Sequence, residues 1–75
     1  MDINEAVSLA VRRRMIVTGD TYRSLSAASS IPERTLARLL GNEREITMNR
    51  LKALADALDC DPTDLIEDAL GLMGN

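Results

Sequence analysis

The sequence predicts an all-α fold of five short helices, and three observations carry that reading. Apolar residues recur at helical spacing, most plainly Met48, Leu51, Leu54, Ala55 and Leu58, which fall on one face of a helix. Cap signals punctuate the chain at Asp2, Thr21, Pro32, Thr47 and the Asp61-Pro62 pair. The apolar set is Leu, Ala, Ile, Val and Met with one Tyr and no Phe or Trp, a composition suited to small packed helices.

The first helix starts at Asp2, where Asp-Ile-Asn-Glu has the spacing of a capping box closed by Glu5. Ala6, Val7, Ala10, Val11, Met15 and Ile16 supply its buried stripe, and Gly19 ends it. Arg12, Arg13 and Arg14 lie in its later turns, either as a solvated face favoured near a helix C-terminus or as contacts to a DNA backbone.

The segment from Thr21 to Arg44 carries the most information. A second helix from Thr21 to Ser29 bears Leu25 and the small residues Ser26, Ala27 and Ala28. Ser29 and Ser30 break it, Ile31 plugs the corner, and Pro32 opens a third helix running to Leu40, where its missing N–H costs nothing. Leu36, Leu39 and Leu40 follow Ile31 on one stripe, while Glu33, Arg34, Ala37 and Arg38 take the other face. A helix lying in a DNA groove needs that division: apolar residues hold it to its own protein, and short or guanidinium side chains approach bases and phosphates.

Gly41 and Asn42 form a C-cap and turn, and Thr47 caps the fourth helix. The fifth begins at Asp61 and Pro62 and packs Leu65, Ile66, Ala69 and Leu70 inward. The chain of 75 residues reads as one domain, 1–75, with 70–75 a frayed or dimer-forming tail that includes Leu72 and Met73.

Charge is two-ended. The net charge is −3, yet all nine basic residues fall between Arg12 and Lys52, opposed there only by Asp20, Glu33, Glu43 and Glu45, which leaves +5 in the middle and −8 outside it. Steering depends on the local field within about 10 Å, so a basic middle suits DNA and an acidic end faces away. Enzyme chemistry finds little purchase. The serines at 24, 26, 29 and 30 have no histidine to act as a base, since the chain contains none. The acidic run from Asp59 fails as a calcium loop: Asp64 stands where a sharp turn needs Gly, Pro62 interrupts, and Leu70 replaces the closing Glu. No catalytic residue, metal site or cofactor is expected. Cys60, the lone cysteine, cannot form an internal disulfide and reads as a small packing residue in a reducing compartment. No apolar run approaches the roughly 20 residues of a membrane span.

The run TYRSLSAASSIPERTLARLLGNER, continued by EITMNRLKALADALDCDPTDLI, resembles the Cro-like and lambda-repressor-like family, also called the XRE family, over about residues 5–67. Ser30, Ser26 and Tyr22 stand where that family often has Gly, Ala and Gln. The resemblance implies a lambda-repressor-like domain with a helix-turn-helix at the second and third helices. It implies a transcriptional regulator of phage or bacterial origin, a repressor that binds a palindromic operator on double-stranded DNA as a homodimer, within the bacterial cytoplasm and on the nucleoid when bound. Base-reading candidates are Pro32, Glu33, Arg34, Ala37 and Arg38. Backbone-contacting candidates are Thr21, Tyr22, Arg23, Thr35, Asn42, Arg44, Thr47, Asn49 and Arg50; the last five surround a helix start, whose free N–H groups favour anions. The alternative is a module that uses the same fold to bind a protein partner, suggested by the acidic surface from Asp56 to Asp68 and the apolar tail.

Overall fold

Helices α1 (Ile3–Thr18), α2 (Tyr22–Ser29), α3 (Glu33–Leu40), α4 (Met48–Ala57) and α5 (Pro62–Leu72) follow one another in the computed structural model. It describes residues 1–74, with no strand among them; position 75 of the expected tail lies outside the described residues.

Local chemistry starts each helix. The Asp2 carboxylate accepts from the Glu5 N–H at 2.8 Å. At α2 the bonds are reciprocal: Thr21 Oγ1 accepts from the Ser24 N–H at 3.1 Å, and Ser24 Oγ accepts from the Thr21 N–H at 2.8 Å. Thr47 Oγ1 accepts from the Arg50 N–H, and the Asp61 N–H donates to the Asp64 carboxylate at 2.9 Å. Each such bond satisfies a donor that the first helical turn leaves free. Pro32 stands one place earlier than its sequence suggests. It is the cap of α3 rather than its first residue, with extended backbone and a carbonyl that accepts the first helical bond from Leu36 at 2.8 Å.

The core is leucine-rich. Leu25, Leu36, Leu39, Leu54 and Leu65 are wholly buried, joined by Ala6, Val7, Ala10, Val11 and Met15 of α1, Ile31 of the corner and Leu40, Leu51, Leu58 and Ala69. Fully burying one such leucine contributes about 1.5–3 kcal/mol. Helix α1 packs on α5 and α3, α2 packs on α3 and α4, and α4 closes on α5.

Three expected core residues are on the surface instead. Ile16 is 81% exposed, Met48 76% and Leu70 47%. Ile16 and Leu70 each sit one residue, about 100° of helix rotation, past an inward residue, Met15 and Ala69. Met48 is the first residue of α4, one turn before the buried Leu51, and its side chain stays in solvent. Helix α5 continues to Leu72, which is half-buried against the core.

Candidate nucleic-acid interface

The corner between α2 and α3 sets the pose of the exposed helix. Ser30 ends α2 in the left-handed region at φ 61°. Serines pin the next residue on both sides: Ser26 Oγ donates to the Ile31 carbonyl, and the Ile31 N–H donates to Ser29 Oγ at 3.3 Å. Ile31 is buried in the same core as Leu25, which anchors the corner that leads into α3.

Helix α3 is divided as its sequence implies. Leu36, Leu39 and Leu40 are buried, Pro32, Glu33, Arg34 and Ala37 are exposed, and Thr35 and Arg38 are half-exposed. Its eight residues span about 12 Å, matching a major groove about 12 Å wide. At the start of α2, Thr21, Tyr22 and Arg23 face solvent; the Thr21 hydroxyl oxygen caps the helix while its hydrogen is free to donate. In the connector between α3 and α4 and the first turn of α4, Asn42, Arg44, Thr47 and Asn49 are exposed and Arg50 is half-exposed.

The cations sort themselves. Among the described residues the ion pairs are Arg14 with Asp68 at 2.8 Å and Lys52 with Asp56 at 2.7 Å. Arg23, Arg34, Arg38, Arg44 and Arg50 belong to neither, so their charges are available to phosphate. The arginine triplet divides: Arg14 is held by α5, and its hydrogen bond to Asp68 raises its already high pKa, whereas Arg12 and Arg13 are exposed. One carboxylate sits at the entrance to α2. Asp20 accepts from the hydroxyls of Thr18 at 2.6 Å and Ser24 at 2.7 Å, and these two bonds hold it below the usual carboxylate range. Burial pushes the half-buried Cys60 thiol up, away from thiolate chemistry.

Two residues of α1 support this surface and stand out only in the structure. Asn4 bonds to the α3–α4 connector three times: Nδ2 donates to Asn42 Oδ1 at 2.7 Å and to the Arg44 carbonyl at 3.1 Å, and Oδ1 accepts from the Ile46 N–H at 2.8 Å. Ser8, one turn on, is buried against the end of α3. The available signal is that both are polar residues on the inward stripe 4, 8, 11, 15 of an otherwise apolar helix face.

Comparison with known proteins places this geometry. Among curated proteins no match is found. Two crystal structures of the clp gene regulator ClgR from Corynebacterium glutamicum are similar to the chain at 27% identity with a TM-score of 0.92. The similarity covers 99% of this chain and 96% of that one in the first, and 97% and 78% in the second. The sequence profile of the Cro/C1-type HTH DNA-binding domain matches residues 10–69, from the middle of α1 to the end of the core-forming part of α5. With the helix-turn-helix corner, the divided α3 and the unpaired arginines all inside that stretch, the chain belongs to the family of Cro/C1-type helix-turn-helix DNA-binding domains.

Proposed function

We propose that this DNA-binding regulator is a repressor that acts as a homodimer on a palindromic operator, with α3 in the major groove of each half-site. The observation that carries the reading is the split of α3, buried at Leu36, Leu39 and Leu40 and open at Pro32, Glu33, Arg34 and Ala37, with Arg38 at its edge. Arg34 and Arg38 read guanine through O6 and N7, a pairing that discriminates by about 1–3 kcal/mol. Glu33 accepts from cytosine, and Pro32 and Ala37 meet a thymine methyl. Thr21, Tyr22 and Arg23 on one side, Thr35 on α3 itself, and Asn42, Arg44, Thr47, Asn49 and Arg50 on the other hold phosphate and set the register.

The small size of the reading helix supports dimerisation. One helix of eight residues reads only a few base pairs, so affinity and specificity call for a second copy. Half-sites one helical turn apart are separated by about 34 Å. The protomer measures 33 × 23 × 20 Å, so two copies at that spacing stand side by side.

Selection from a random duplex library at about 0.15 M salt, a physiological level, tests the proposal with the wild type beside an Arg34→Ala, Arg38→Ala double variant. A palindromic site retained by the wild type and lost by the variant is the expected result. Recovery of no site by a folded wild type refutes it and turns attention to a protein partner, the second reading. That reading is favoured by the exposed aliphatic pair Ile16 and Val17, at 81% and 86%.

A further inference from the structure

We propose that Asn4 is a positioning residue for DNA binding: its amide fixes the α3–α4 connector so that Asn42, Arg44 and Thr47 meet the phosphate backbone together. This rests on the reading that the connector touches phosphate. Three observations support it. The connector, residues 41–47, has no regular structure, and its backbone bonds to α3 stop at Glu43, whose N–H reaches the Arg38 carbonyl at 2.9 Å. From Arg44 to Ile46, the hydrogen bonds to backbone among the described residues come from Asn4 alone, which takes the Arg44 carbonyl and the Ile46 N–H.

The third observation is the state of Asn42. It is in the left-handed region at φ 60°, and its side-chain oxygen is occupied by Asn4 at 2.7 Å. That orientation leaves the Asn42 Nδ2 hydrogens directed away from Asn4 and free to donate, which is the end of the amide an anion accepts from. A single side chain therefore orients one phosphate donor, fixes the backbone that carries Arg44, and restrains Ile46 immediately before Thr47 caps α4.

Binding of Asn4→Ala and Asn4→Asp to the operator selected by the wild type, and to an unrelated duplex, decides the matter when followed across salt concentration. Asn4→Asp keeps the acceptor for the Ile46 N–H and loses both donors, and an acidic residue in the first helical turn favours folding. Each variant is expected to weaken the two duplexes equally, Asn4→Ala by roughly ten-fold with a salt dependence flatter by about one unit of slope, and Asn4→Asp by more because its carboxylate also repels phosphate. Sequence preference stays as in the wild type, and Asn4→Ala accelerates exchange of the Ile46 amide while the Leu54 and Leu65 amides remain protected. In an Arg44→Ala background the loss from Asn4→Ala shrinks, because the contact it positions is already gone; a purely structural role leaves the two losses additive. Wild-type affinity and slope in both variants, or additive losses, overturns the role of Asn4 while DNA binding stands. Failure of the wild type itself to hold any duplex overturns the reading beneath it, and the two failures are told apart by the wild-type lane.

Discussion

The Ser8 hydroxyl, buried on α1, donates to the carbonyl of Leu39 in the last turn of α3, 31 residues away, at 2.9 Å. The Ser8 oxygen also lies 3.0 Å from the Asn4 carbonyl, so its one hydrogen is shared between its own helix and α3. A polar side chain in an apolar stripe thus ties the first helix to the end of the third, at the point where the connector leaves.

Replacing Ser8 tests that tie. Ser8→Ala removes one buried hydrogen bond, and the Leu39 carbonyl keeps a second partner in the Asn42 N–H at 3.2 Å. The expected cost is about 1 kcal/mol, seen as a fall in melting temperature of about 4–8 °C for a domain of this size. Ser8→Leu overpacks the same place and costs about 1–3 kcal/mol. Equal melting of wild type and Ser8→Ala contradicts the assignment.

Much of the fold is legible in the sequence because caps and periodic leucines are local signals. Asp2, Thr21 and Thr47 each cap the helix they announce, and Leu36, Leu39, Leu51, Leu54 and Leu65 are all buried. Periodicity alone does not say how far a neighbour extends, so Ile16, Met48 and Leu70, at the margin of a stripe or the end of a helix, read as core and lie outside it. The candidate interface is legible only in part. The open face of α3 follows from its inward stripe, whereas the bonds from Asn4 to Asn42, Arg44 and Ile46 cross about forty residues and depend on tertiary approach.

The margins of the core make a direct contrast. Leu39→Ala creates a cavity at a wholly buried site and costs about 2–5 kcal/mol, enough to unfold a large share of a domain this small. Met48→Ala, at a side chain 76% exposed, shifts stability by no more than about 0.5 kcal/mol. Urea unfolding of the pair checks both; a large loss for Met48→Ala means that its side chain is covered in solution.

Ser30 offers a gain. A residue with a Cβ at φ 61° holds the left-handed region at a cost of about 1–2 kcal/mol, and no hydrogen bond of its side chain offsets that among the described residues. Ser30→Gly relieves the strain and loses some of the gain to a freer unfolded chain. The net expectation is a stabilisation of up to about 1 kcal/mol, with the geometry of the corner unchanged. A lower melting temperature for the glycine variant counts against the strain.

Asp20 gives the acid limb of stability a specific contributor. Hydroxyl bonds from Thr18 and then Ser24 favour its charged form, so its folded pKa lies below the unfolded value near about 3.9. A depressed carboxylate contributes stability that is fully present above the unfolded value and is lost as pH falls through the folded one. The advantage of wild type over Asp20→Asn is therefore present at pH 7 and declines below about pH 4. Melting curves of both proteins from pH 7 downward check the sign; an advantage that grows on acidification reverses it. The same substitution removes a negative charge beside Thr21 and Tyr22, and tighter binding to any duplex at low salt is expected with it.

Arg14 and Arg44 contrast an ion-paired arginine with one that belongs to neither ion pair among the described residues. Arg14 is engaged by Asp68 across α1 and α5, with both side chains partly exposed at 29% and 47%, so the pair contributes less than about 1 kcal/mol. Arg14→Gln should lower stability slightly and leave the salt dependence of DNA binding as in the wild type, because its guanidinium is committed within the protein. Arg44→Gln breaks no ion pair, so stability stays level, and the loss of a phosphate contact reduces the salt slope by about one unit. Titrations of the two variants on one duplex at three or more salt concentrations distinguish them. A shallower slope for Arg14→Gln means that DNA competes with Asp68 for that side chain, which extends the interface from α3 across to the far turns of α1.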